Sequence, residues 1–384
     1  MAMLPRILMV IHQFRPSKPG GAEVQAERLA EKLVKRGHEV SVLTQLRNQE
    51  APSFEVFRGF KIFRSPFALG YKIFSGFHQF AFLIRYRRSY DVLHVHQAFG
   101  HALVSIIAAR LLRKPCLVKI GCAGEFGDLI QFSRLRHSGI GLRILRQADA
   151  IVAISHDIER ELYQWNFPIA RILYLPNGID SRVFKRDRPW EESLPVETTS
   201  PWRIALVGRR HPQKGIDVAI AALKFLRERE PACKLELHSY GVDYPEIDYR
   251  ICAREAGVSD QVFFHDFEND MWPILAGSHV FLLPSRAEGL SNALLEAMAM
   301  ELPVIATSVS GNIDLIRSGW NGLLVPTDDP VALGNALLTI WKNHSASAVL
   351  GRRARRTVDS LFSLDYITAQ YSSLYNRLLK DMAK

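Results

Sequence analysis

The sequence predicts an α/β protein of two Rossmann-like, doubly wound domains facing each other across a cleft. Three observations lead there. At 384 residues the chain is too long for one ordinary core, given about 150 residues per domain. Short apolar runs alternate with amphipathic helical patterns from end to end. That alternation breaks once, near residue 185, and then starts again. Ligands of such folds lie beyond the carboxyl ends of the strands, so the loops after each run are where functional residues are expected.

The elements follow in order. In the first half "RILMVIHQF", "HEVSVLTQ", "DVLHVHQ", "PCLVKIG", "AIVAIS" and "RILYLP" are short, β-branched and apolar on both sides, as parallel strands buried on both faces should be. Between the first two lies "AEVQAERLAEKLVKRGH", with Ala, Leu and Val at helical spacing and Gly37 as a C-terminal stop. The expected first domain is 1–185. The stretch "KRDRPWEESLPVETTSPW" is charged, contains proline and has no period, so 186–200 is expected to be a linker. A second domain, 201–363, restarts with "WRIALVG", "CKLELHSYG", "QVFFHDF", "HVFLLPS", "PVIATSV" and "GLLVP". Residues 364–384 read as a helix that closes the molecule by packing back on the first domain.

Composition narrows the class. Hydrophobic residues are 48% and charged residues 23%, a globular profile. The formal net charge of +10 is uneven: residues 1–200 hold 29 Lys/Arg against 18 Asp/Glu, and the remainder 20 against 21. The excess in the first half suits an anionic partner, or simply solubility. Four scattered cysteines form no C-x-x-C pair, which points to neither a zinc site nor a disulfide framework and suggests a reducing, cytoplasmic compartment. The opening apolar run is short, contains Arg6 and reads as a first strand. No stretch reaches the roughly 20 apolar residues of a membrane span. The basic residues follow no known nucleic-acid reading motif, so nucleic acid is not expected as a partner.

Three loops carry the candidate chemistry. Gly20 and Gly21 precede a helix starting near Ala22, where backbone N–H groups can meet an anion or simply make a turn. In "VGRRHPQKGIDVAIAAL" Gly208 opens a turn in which Arg209 and Lys214 flank a helix start. Two cations beside a helix N-terminus suit a diphosphate, although solvated surface charge reads the same way. In "LLPSRAEGLSNALLEAMAM" Glu288 lies on the loop after a strand and Ser291 can cap the helix. The N–H groups of Gly289, Leu290, Ser291 and Asn292 can then bind phosphate, and two carboxylates, Glu288 and Glu296, can accept from hydroxyls. From spacing alone Glu296 equally fits an amphipathic surface.

Glu288 to Glu296 forms E-x7-E, and "GRRHPQKG", "LPNGID", "PVIATSVSG" and "NGLLVPTDDP" stand in order around it. With that ordered set, nearly the whole chain resembles a family 4 retaining glycosyltransferase of the GT-B fold. The resemblance implies transfer of a sugar from a nucleotide-diphosphate donor, a UDP- or GDP-sugar, to a glycan, lipid-linked or other hydroxyl acceptor. It implies no metal and no cofactor, the nucleotide-sugar being a substrate. Carried over by position, Arg209 and Lys214 hold the diphosphate and stabilise the leaving group. Glu288 meets the donor sugar, Gly208 and Gly289 to Ser291 lie by the donor, and Glu296 binds the ribose. Gly20 and Gly21 contact donor phosphate or acceptor from the opposite domain. The nucleobase is read near "HDFENDM".

The sequence departs from the family pattern in one loop. Many relatives carry a histidine after the strand corresponding to "PCLVKI", whereas here the loop reads "KIGCAGEFGD". His96, His101, Glu125 and Asp128 are the alternative groups for the acceptor proton. In a front-face retaining mechanism the leaving phosphate takes that proton itself. The resemblance makes the first domain the acceptor side, and that domain is the basic one. "SGFHQFAFLIRYRRSY" and "FSRLRHSGIGLRILRQAD" interleave apolar residues with Arg85, Arg87, Arg88, Arg134, Arg136, Arg143 and Arg146, as a surface on an anionic membrane would, or as core-facing helices with solvated arginines would. A peripheral place at the inner face of the cytoplasmic membrane follows from the first reading. The competing functions are a nucleotide-sugar epimerase of GT-B-like fold and a catalytically idle nucleotide-sugar-binding protein.

Overall fold

The computed structural model describes residues 4–16, 20–46, 51–66, 72–135, 138–195, 200–245 and 247–383. It divides into two compact units, one of Met1–Gly178 with Leu364–Lys384 and one of Ile179–Ser363. Each is built on a parallel sheet.

The first sheet comprises β1 Ile7–Val10, β2 Val40–Leu46, β3 Phe54–Phe57, β4 Phe60–Pro66, β5 Val92–His96, β6 Cys116–Ile120, β7 Ala150–Ala153 and β8 Ile172–Tyr174. Their order is β3-β4-β2-β1-β5-β6-β7-β8, and every pair is parallel except β3 with β4. The second sheet comprises β9 Trp202–Val207, β10 Leu235–Tyr240, β11 Val262–His265, β12 Val280–Leu283, β13 Val304–Thr307 and β14 Leu323–Val325. Its order, β11-β10-β9-β12-β13-β14, is the doubly wound one. Strand order therefore reverses between β1 and β5 in one sheet and between β9 and β12 in the other. In both, loops at that reversal carry expected site residues, while Glu125 and Asp128 lie in the loop after β6.

Each apolar run read from the sequence holds one of the parallel strands. The β3–β4 hairpin was not anticipated. Its strands are joined by Arg58 and Gly59, at φ +46° and +89°, the two-residue turn whose twist suits a hairpin. Aromatic pairs seal it: Phe57 with Phe60 at 5.7 Å and Phe54 with Phe63 at 5.1 Å between ring centres. The signal was present as "FEVFRGFKIF", two alternating runs around Arg-Gly.

The first helix runs Gly21–Lys35 and stops short of Gly37, which takes φ +91°. Its inner face of Gln25, Ala26, Leu29, Ala30 and Leu33 is buried, and it packs beside the helix Leu364–Met382. Lys32 reaches Asp365 at 2.9 Å, and the Gln25 amide brackets the backbone of Gly178. The described part of the expected linker, 186–195, is built into the second unit. Trp190 is only 2% exposed, stacks edge-on to Trp202, and its indole N–H donates to the His279 carbonyl at 2.9 Å. A charged, aperiodic sequence hid one large apolar anchor. Among the described residues no helix is long and apolar enough to cross a membrane.

Candidate active site

In the second unit, two loops meet where the strand order reverses. The first follows β9. Gly208 gives its N–H to the Tyr240 carbonyl at 2.9 Å, and a short turn, Pro212–Lys214, leads into the helix Ile216–Arg229. Between them Gly215 takes φ +63°, and a Cβ there would lie 2.0 Å from the Pro284 carbonyl oxygen at the end of β12. Only glycine lets this helix start so close to the neighbouring strand. The second loop, 284–291, follows β12. Arg286 joins the two: its guanidinium grips Asp217 at 2.6 and 3.1 Å, donates to Asp328 at 2.7 Å, and is held charged by both carboxylates. Gln213 adds a bond to the Ala287 carbonyl at 2.9 Å.

This framework brings Lys214 and Glu288 together across 74 residues of sequence. The Lys214 ammonium lies 2.5 Å from Oε1 of Glu288, and the Ser285 hydroxyl donates to the same oxygen at 2.7 Å. The Glu288 side chain is 7% exposed and that of Lys214 19%, so the pair is shielded but reachable. The adjacent arginines part company. Arg210 is buried, paired with Asp243 and bonded to the carbonyls of Ser239 and His265, a structural tie. Arg209 is exposed and makes no side-chain hydrogen bond or ion pair among the described residues.

Gly289, Leu290 and Ser291 are buried and lead into the helix Asn292–Ala299. Ser291 caps it, accepting from the Leu294 N–H at 3.3 Å. Glu288 stands four residues before the helix and Glu296 in its second turn. Glu296 is 5% exposed, which removes the amphipathic-surface reading. Beside the loops, His238, His265 and Tyr240 stack at the ends of β10 and β11, His265 opening the "HDFENDM" segment.

In the first unit the site residues fall into different settings. Gly20 and Gly21 are exposed at the start of the first helix, Gly20 in extended backbone. His96 is buried at the end of β5, and desolvation holds its imidazole neutral, well below the usual histidine range. His101 is also buried. Its Nε2 lies 2.7 Å from the His96 carbonyl, and burial lowers its pKa to about 4. Asp128 is buried with its carboxylate accepting from the N–H groups of Gly121, at 3.1 Å, and Ala98, at 3.3 Å. Desolvation raises it to about 6 against those bonds. It ties the loop after β6 to the loop after β5. Glu125, by contrast, is exposed, 4.0 Å from Arg134.

Sequence reading missed Ser285, Gln213 and Arg286. They are ordinary polar residues in the sequence and acquire meaning only when the two loops meet.

Solved structures of GT-B glycosyltransferases share this architecture. The chain superposes on Anabaena Alr3699/HepE in complex with UDP-glucose with a TM-score of 0.80, covering 97% of this chain and 100% of that one at 19% identity. It superposes on sucrose-phosphate synthase from Thermosynechococcus elongatus with a TM-score of 0.80, covering 98% and 100% at 22% identity. The fold is thus the two-domain α/β GT-B fold. Family models divide the chain between them, "Glycosyltransferase Family 4" matching residues 19–183 and "Glycosyl transferases group 1" residues 201–343. The chain belongs to the family 4 glycosyltransferases of this fold. It is 26% identical to N-acetyl-alpha-D-glucosaminyl L-malate synthase of Bacillus anthracis over 94% of this chain and 95% of that protein. It is 24% identical to UDP-Gal:alpha-D-GlcNAc-diphosphoundecaprenol alpha-1,3-galactosyltransferase of Escherichia coli over 75% and 76%.

Proposed function

We propose that the protein transfers a sugar, with retention and without a metal, from a UDP- or GDP-sugar to a glycan, lipid-linked or other hydroxyl acceptor. The observation that carries this is the shielded Lys214–Glu288 pair where the second sheet reverses, with exposed Arg209, which has no side-chain partner among the described residues, on the same loop as Lys214. In this reading Arg209 and Lys214 face the donor diphosphate and stabilise the charge that grows as the bond to the sugar breaks. Glu288 accepts from sugar hydroxyls. Gly208 and the backbone of Gly289, Leu290 and Ser291 lie against the donor, and Glu296 accepts from the ribose. Gly20 and Gly21 offer backbone N–H groups to donor phosphate or acceptor. Names of relatives support a nucleotide-sugar donor: one structural neighbour is complexed with UDP-glucose, and the Escherichia coli relative is named for UDP-Gal.

The leaving phosphate takes the acceptor proton. Four alternatives are poorly suited to the task. His96 and His101 are buried, Asp128 is bound to two backbone N–H groups, and Glu125 lies out in solvent. A thermal-shift panel of nucleotide sugars selects the donor. A hydroxyl acceptor is then expected to speed release of nucleoside diphosphate, and the product anomer, read by NMR, to match the donor. A changed sugar still attached to its nucleotide would make the protein an epimerase, and binding without turnover an idle binder. Alanine at His96, His101, Glu125 or Asp128 is expected to cost less than about 10³-fold in turnover; a larger loss with donor binding intact identifies a protein base.

A lipid-linked acceptor at an anionic membrane fits the first unit. Phe54, Phe63, Phe82 and Tyr86 line a cavity of about 640 Å³, their rings 4.4 to 5.2 Å apart in sequence of contact. Phe77 beside it is 68% exposed, and Arg85, Arg87 and Arg88 are exposed. Two residues of the expected surface serve elsewhere: Leu83 is core, and Arg146 bonds the Trp165 carbonyl at 2.7 Å. Arg136 lies outside the described residues. Sedimentation with anionic vesicles should show binding that weakens with salt; equal binding to neutral vesicles rejects the surface.

A further inference from the structure

We infer that Ser285 is the positioning residue that keeps Glu288 in place while the donor is bound. The inference rests on the reading of Lys214 and Glu288 proposed above. Oε1 of Glu288 has two partners of different kinds. Lys214 is a long, partly exposed side chain whose ammonium must serve a diphosphate when one is present. Ser285 is fully buried at the end of β12, with its hydroxyl 2.7 Å from the carboxylate. Its backbone is fixed in turn: the buried Thr307 hydroxyl donates to the Ser285 carbonyl at 2.5 Å, and the Asn312 amide donates to the Thr307 carbonyl at 3.1 Å. One partner is therefore free to move with the ligand and the other is anchored in the sheet.

When the donor draws Lys214 toward the diphosphate, Ser285 remains as the side-chain partner of Oε1. Its bond holds that oxygen inward, which leaves the other carboxylate oxygen for the sugar. Ser285 touches neither phosphate nor sugar in this arrangement, so its effect is confined to interactions that Glu288 makes. Free nucleoside diphosphate, which lacks the sugar, should be nearly indifferent to it.

The test compares two ligands on the full chain: the nucleotide-sugar that gives the largest thermal shift, and its free nucleoside diphosphate. Ser285→Ala and Ser285→Cys, which remove the strong donor, are expected to weaken nucleotide-sugar binding by about tenfold to a hundredfold, the usual range for a hydrogen bond to a charged group. Nucleoside diphosphate binding should change by less than about threefold. Ser285→Thr, which keeps the hydroxyl, should restore the wild-type ratio. In a Glu288→Ala background, Ser285→Ala should add nothing further to the loss. Equal loss for both ligands, no loss for either, or loss of the melting transition in all three variants makes Ser285 merely structural and overturns the proposal. If the wild type binds neither ligand, the reading of the site itself fails, a result distinct from all of these.

Discussion

Both units place a lysine near the carboxyl end of a parallel sheet, and they treat it in opposite ways. In the second unit Lys214 has a carboxylate at 2.5 Å and a path to water. In the first, Lys119 on β6 is 7% exposed, and among the described residues its ammonium meets only the Asn177 amide oxygen at 2.8 Å and the Tyr371 ring at 6.0 Å. Its neighbours are no better as counter-ions. His94 and His96 stack at 4.3 Å, each with a buried Nε2 that has no partner among the described residues, and the His94 Nδ1 faces the Tyr375 hydroxyl at 2.8 Å. Burial lowers the Lys119 pKa to about 7 and keeps both imidazoles neutral. The second unit sets its lysine against a carboxylate within reach of solvent. The first unit instead suppresses charge in its core and uses polar groups to join β5, β6 and the C-terminal helix.

Variants at the two lysines separate their roles. The largest expected difference is in turnover: Lys214→Ala should lower it about 10³-fold, whereas Lys119→Met should change it less than tenfold in initial-rate assays. Similar losses would mean that the first-unit lysine also serves the reaction. The next difference is in pH dependence. A lysine depressed from 10.5 to about 7 binds fewer protons folded than unfolded between those values. Stability from this group is therefore full above 10.5 and is lost as pH falls toward 7, with a slope of up to about 1.4 kcal/mol per pH unit. Chemical denaturation at pH 7, 8 and 9 should show that slope in the wild type and lack it in Lys119→Met. The smallest effect sharpens the other side. Glu288→Gln frees Lys214 of its counter-ion, so nucleoside diphosphate should bind about fivefold tighter by calorimetry even as turnover falls.

The contrast also marks what a sequence discloses. Parallel strands buried on both faces must be apolar along their length, so "WRIALVG" or "PVIATSV" declares itself. A loop between strand and helix declares its glycines and charges, which is how Arg209, Lys214, Glu288 and Glu296 were legible. The first-unit polar core was not. His94, His96 and Lys119 interrupt apolar runs; His94 and Lys119 are met by Tyr371 and Tyr375, more than 250 residues away, and His96 stacks on His94. Nor could sequence tell Arg209 from Arg210, adjacent and identical, since only Asp243 and the ends of β10 and β11 decide which is consumed by the fold. Ser285 looked like punctuation after a strand. Its worth depends on where a lysine 71 positions earlier is delivered by the turn at Gly215.

The chain leaves the first unit after Gly178 and re-enters it at Leu364, and the two crossings lie side by side. Gly178 is packed so closely that a Cβ would lie 2.8 Å from the Leu364 Cα, and the Ile179 N–H donates to the Phe362 carbonyl at 2.9 Å. In the order of synthesis the second unit is thus an insertion. A nascent chain has made every strand of the first sheet long before it makes the helix that covers His94 and Lys119. Until 185 further residues have been translated, that face of the sheet waits uncovered on the ribosome. The hydrogen-bonding groups there are suited to the wait, because they bond to water before the helix arrives and shed charge once it buries them.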